Sequence, residues 1–119
     1  KKPQAALCIA PAMMAKIYED APNKPKLTIG DDKDCSSKIE TMGSTHQECT
    51  ARDFVFDEQN NVISTPAYMR GQSISEVAEG IEKTIHQLLK MTAWYIFGVL
   101  KIKQNSLPQS GKLKPVTAF

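Results

Sequence analysis

At 119 residues, 41% hydrophobic and 24% charged, the chain holds at most one small globular domain. Its formal charge of +2 is unevenly spread, because every acidic residue precedes position 93 while Lys101, Lys103, Lys112 and Lys114 follow without one. The basicity therefore belongs to the last segment, which has no arginine or aromatic pattern of a nucleic-acid binder. Three cysteines (Cys8, Cys35 and Cys49) with no C-x-x-C pair argue against a disulfide framework and for a reducing compartment. We expect a cytoplasmic location, or a mitochondrial one in a eukaryote. No cleavable signal is visible, and "WYIFGVL" at 94–100 is far short of the ~20 apolar residues that span a bilayer. The chain opens on Lys1, which is expected of a processed product or a fragment.

In chain order, "AALCI" reads as a short apolar strand and "APAMMAKIYED" as a helix, broken by Pro22 and Pro25. "KLTIG" is the next strand. Within "DDKDCSSKIETMG", Ser37 and Glu40 have capping-box spacing and Gly43 suits a helix C-terminus. "DFVF" and "VIST" flank the tetrapeptide "EQNN", which predicts a β-hairpin. Ser73 and Glu76 then cap the longest helix, where Ile74, Val77, Ala78, Ile81, Ile85, Leu88 and Leu89 are spaced for one apolar face. Gly80 weakens that helix by ~1 kcal/mol unless close packing uses it. Helical periodicity is lost after Tyr95; "IFGVLKI" reads as an extra strand, and "NSLPQSGKLKP" as loop or disorder. Alternating strands and helices predict a layered α/β fold, yet two core strands, a hairpin and about three helices make only half a covered sheet.

Cys8 is the first candidate for chemistry. A nucleophile elbow needs a strand, a sharp turn bearing the nucleophile and a helix, with small residues two positions either side. Ala6 and Ala10 hold those positions, and Pro11 suits the first helical turn. A helix N-terminus favours a thiolate, and the Ile9 backbone N–H is placed to serve as an oxyanion donor. The competing reading is a buried structural cysteine. His46 is the nearest candidate base; the alternative is a strand-end histidine bonded to backbone. His86 lies among polar neighbours and reads as solvated. His46, Cys49 and Cys35 lack the fourth ligand that structural zinc wants, so no metal is expected.

The segments "LCIAPAMMAKI", "LTIGDD", "MGSTH", "NNVISTPAYM" and "ISEVAEGIEKTIHQLL", in this order over residues 1–92, closely resemble the C-terminal half of the enhancing-lycopene-biosynthesis (ElbB, sigma cross-reacting) family. That family belongs to the PfpI-like branch of the class I glutamine amidotransferase-like superfamily. The resemblance implies half of a flavodoxin-like α/β sandwich over 1–92, with a divergent basic tail over 93–119. It also implies Cys8 as nucleophile at the elbow. The segment "STPAYM" resembles the strand returning beside the nucleophile, so Thr65, Pro66 and Tyr68 are expected to wall the pocket at the carboxyl edge of the sheet.

The acid beside the thiol and the second oxyanion N–H come, in this superfamily, from an N-terminal half that this sequence does not contain. Positions where some relatives carry a histidine hold Ile9 and Gly30. Amidotransferase or protease activity is therefore not expected. The resemblance implies glyoxalase-like chemistry on a small reactive carbonyl in the complete protein, with this chain alone inactive. The alternative is a non-catalytic, redox-responsive or metabolic accessory protein related to isoprenoid synthesis. No cofactor, nucleic acid or membrane partner is expected; a homodimer, or pairing with an N-terminal half, is.

Overall fold

Val62–Thr65, β-branched at all but Ser64, is buried along its whole length, as a strand between covered faces should be, and it organises the molecule. The computed structural model describes residues 1–105. Its elements are β1 (Gln4–Leu7), α1 (Ala10–Ile17), β2 (Lys26–Leu27), α2 (Lys33–Thr41), β3 (Thr45–His46), β4 (Val55–Asp57), β5 (Val62–Thr65), a 3-10 turn (Ala67–Met69) and α3 (Ile74–Asn105).

β5 lies between β1, which is parallel to it, and β4, which is antiparallel. The register sets Ala5 opposite Ile63 and Leu7 opposite Thr65. The β4–β5 hairpin turns through 58–61, the "EQNN" loop, with Asn61 in the left-handed region at φ 54°. β2 and β3 form a second, two-stranded parallel sheet. Side chains join the two sheets: the Lys26 N–H donates to the Asp57 carboxylate (2.7 Å) and the Thr28 N–H to the Ser64 hydroxyl (2.9 Å).

Residues alternate along β5, so its two faces meet different helices. Val62 joins Ala15 of α1, Ile39 of α2, Leu27 and Ile29 in the core cluster. Thr65 lies against α3 at Gly80. Helices thus cover both faces of a partly parallel sheet, the α/β layering expected from the sequence.

Three expectations are corrected. First, α2 is capped by Asp32, whose carboxylate accepts the Cys35 N–H at 2.9 Å. Ser37 sits inside the helix and its hydroxyl donates to the Asp34 carbonyl. A carboxylate at the true start outcompetes a capping-box spacing found one turn later. Second, the expected apolar face of α3 is split: Val77 is buried, Ile81 and Leu88 are half-buried, and Ile74 (89% exposed), Ala78, Ile85 and Leu89 (61%) face outward. The face against the sheet is Val77, Gly80, Thr84 and Met91. A Cβ at Gly80 would lie 1.9 Å from the Ala51 carbonyl oxygen, so close backbone approach selects that face. Thr84 is tolerated there because its hydroxyl donates to the Gly80 carbonyl (2.8 Å).

Third, α3 does not stop near Tyr95 but runs to Asn105, through the segment read as a strand. No proline interrupts 74–105, and Ala93, Leu100, Lys101, Lys103 and Gln104 all favour helix. The cap expected at Ser73 is present: its hydroxyl accepts the Glu76 N–H at 3.3 Å, while Glu76 reaches back to the Gln72 N–H. The loop expected over "NSLPQSGKLKP" lies, beyond Asn105, outside the described residues.

Asp57 is the rivet between the hairpin and β2. Burial works against its charge. Hydrogen bonds from the Lys26 N–H and from both the side chain and backbone of Asn60 outweigh it and hold the carboxyl below its usual range. The ionised form therefore stabilises the fold above about pH 4, and this contribution is lost as pH falls through the lowered folded value. Asp57→Asn is expected to cost about 2 kcal/mol in urea unfolding at neutral pH. The variant should also lose part of the wild type's acid sensitivity.

Candidate functional site

β1 ends at Leu7, and the next residue turns the chain sharply. Cys8 has φ 60°, the left-handed region that non-glycine residues rarely adopt. Its backbone is held there because the Cys8 N–H donates to the Thr65 carbonyl (3.1 Å), continuing the parallel ladder one residue past β1. α1 follows at once, with Ile9 at its N-cap and Pro11 in its first turn. Strand, strained residue and helix succeed one another as an elbow requires. The thiol is half-buried and free of any disulfide. The Ile9 N–H has no acceptor among the described residues, leaving a donor beside the sulfur at the positive end of α1. Ala67, just past β5, is strained as well, at φ 45°. Two adjacent parallel strands thus both end in left-handed non-glycine residues.

Among the described residues, no side chain hydrogen-bonds the Cys8 thiol. His46 is occupied elsewhere: its Nε2 accepts the Ile29 N–H at 3.2 Å, tying β3 to the chain beyond β2. That bond requires a ring nitrogen without a proton, and it gives His46 a structural duty. Thr65 meets Cys8 through the backbone only, because its buried hydroxyl donates to the Asp53 carbonyl at 2.7 Å. Pro66 is buried too, and Tyr68 is 73% exposed. Thr65 and Pro66 therefore shape the sheet edge from within and do not present side chains to a pocket.

The cleft at this edge has other walls. About 540 Å³ in volume, it is lined by Asp31, Arg70, Gln72, Glu76 and the segment 48–52. All of these follow the carboxyl ends of β2, β3 and β5. Both of its arginines are paired: Arg70 with Asp31, and Arg52 with Glu76 (3.3 Å) and Glu79 (2.7 Å), while Glu48 has no ion pair among the described residues. The Arg70–Asp31 pair joins residues 39 apart in sequence, and no local pattern marks it. The one sequence signal was Gly30, where φ 95° lets Arg70 cross the backbone; a Cβ there would lie 2.4 Å from the Arg70 Cγ.

The remaining cysteines are held protonated. Burial, with the Asp53 charge beside it, pushes the Cys49 thiol up to about 11. Burial and the neighbouring Asp32 also raise Cys35 above the usual thiol range. Iodoacetamide labelling of Cys49 is accordingly expected to stay slow at neutral pH and to rise only as pH approaches about 11, readable by peptide mass spectrometry.

No family model matches the chain. It is 25% identical over 101 residues to the ES1 protein homolog, mitochondrial, of Rattus norvegicus, an alignment covering 77% of this chain and 36% of that protein. It is also 25% identical over 100 residues to the glutamine amidotransferase-like class 1 domain-containing protein 3, mitochondrial, of Homo sapiens, with 76% and 36% covered. Among solved structures, an isoprenoid biosynthesis protein with amidotransferase-like domain from Ehrlichia chaffeensis superposes with a TM-score of 0.69. That match has 35% sequence identity and covers 75% of this chain and 40% of the other. The chain spans little more than a third of the length of these curated relatives. Its elements have a glutamine amidotransferase-like class I fold.

Proposed function

We propose that Cys8 is a nucleophile that adds to small reactive aldehydes, and that the chain is one half of a glyoxalase-like unit. The observation that carries the reading is the left-handed backbone of Cys8 at the start of α1, with its thiol half-open. Strain of ~1–3 kcal/mol at a residue that packing alone does not require points to a chemical use.

For a 2-oxoaldehyde, the Cys8 sulfur attacks the aldehyde carbon, and the carbonyl electron pair moves to oxygen beside the Ile9 N–H. Protonation of that oxygen gives a hemithioacetal. A base then removes the former aldehyde hydrogen, and the enediol is reprotonated on the adjacent carbon to a 2-hydroxy thioester. Water releases the 2-hydroxy acid and the thiol. The net reaction adds one water, with no external oxidant or reductant. This chain performs the addition; the base belongs to a pairing half. β1 supports such pairing, because among the described residues it is bonded on one side only. Lactate formation from methylglyoxal, in a fold completed to the length of the relatives, should vanish in Cys8→Ala. Equal rates would sink the proposal. The chain alone is expected to form the adduct without lactate.

The absence of an acid or base at the thiol among the described residues supports a second reading, a redox-responsive accessory protein. Peroxide would convert the Cys8 thiol to a sulfenic acid, releasing water. Modification confined to Cys8 would agree with it; equal oxidation of Cys35 and Cys49 would not. The names of the two mammalian relatives support a mitochondrial location, and that of the Ehrlichia protein a link to isoprenoid synthesis.

A further inference from the structure

Among the described side chains of α3, Met91 is the last that is buried, and everything from Ala93 to Lys101 is exposed. We propose that this overhang docks on an anionic membrane surface, lying in the plane of the interface. Its exposed residues are Trp94 (80%), Tyr95, Ile96, Phe97 (71%), Val99 and Leu100. At 100° per residue they point round the whole circumference of the helix and not along one stripe. A flat protein surface would cover one face and leave the rest in water. A bilayer interface that immerses a helix by about its 10 Å diameter covers every side at once.

Composition agrees with geometry. Three aromatic rings fall within four consecutive residues, the types that settle at headgroup level. No acidic residue follows Glu82, whereas Lys90, Lys101 and Lys103 do follow, complementing an anionic surface; Lys83 is already paired with Glu79 at 3.0 Å. The apolar stretch rises only about 12 Å, and no described helix is long and apolar enough to cross a membrane. The expectation of no membrane partner rested on that spanning length, which lying flat does not need.

Trp94 is the chain's single tryptophan and reports directly. The full chain is titrated with phosphatidylcholine vesicles, with and without phosphatidylglycerol. The expected result is a blue shift of Trp94 emission and co-sedimentation with the anionic vesicles, both weakened by salt. Phe97→Glu/Leu100→Glu should weaken binding by at least about tenfold, and Lys101→Glu by less, with far-UV helicity retained in each. Unchanged emission with anionic vesicles overturns the proposal. So does a blue shift that needs no vesicles, grows with protein concentration and disappears in Phe97→Glu, because a second copy of the chain then covers the segment.

Discussion

Gly80→Ala is expected to lower the stability of the fold by about 1–3 kcal/mol, despite the ~1 kcal/mol that alanine gains in helix propensity. The new methyl group would sit 1.9 Å from the Ala51 carbonyl oxygen, and a backbone atom cannot rotate aside as a side-chain tip can. α3 would have to lift from β5, disturbing Val77 and Thr84 on the same face. Gly98 provides the opposite case within the same helix, since a Cβ there meets nothing within 4 Å. Gly98→Ala should raise helical content with no loss of stability. Urea unfolding followed by circular dichroism reads both, and equal effects from the two alanines would contradict the packing described.

The second large effect concerns the elbow. Cys8→Gly is expected to keep the fold as stable as the wild type or raise it by about 1 kcal/mol, because glycine adopts φ 60° without strain. Cys8→Val should cost about 2 kcal/mol, since a β-branched side chain clashes there. A cysteine serving only as core filler would behave the other way, with glycine leaving a cavity and valine tolerated. The ranking of the two variants in thermal unfolding separates these readings.

How far the sequence reveals this molecule depends on the range of each interaction. The strand-to-helix turn at Cys8 is legible because the small residues Ala6 and Ala10 stand two positions from it on either side. The hairpin is legible because five polar residues, 57–61, interrupt two apolar runs. The cap of α2 is not, because Asp32 and Ser37 compete and only the first stands where the chain enters the helix. The buried face of α3 is misread for a physical reason: hydrophobicity favours the side with Ile74, Ile85 and Leu89, while close approach through Gly80 favours a side that includes a threonine. His46 and Arg70 find partners, Ile29 and Asp31, through tertiary folding alone. No spacing rule reaches across those distances.

Cys8, as proposed, is an addressable nucleophile at a strained turn. The most direct measurement is site-resolved iodoacetamide labelling of the full chain near neutral pH, with and without methylglyoxal. Cys8 should label well ahead of Cys35 and Cys49, methylglyoxal should slow Cys8 alone, and dilution should restore its rate, as a reversible hemithioacetal requires. If Cys8 labels no faster than Cys49, or methylglyoxal leaves it untouched, it is packing and not chemistry.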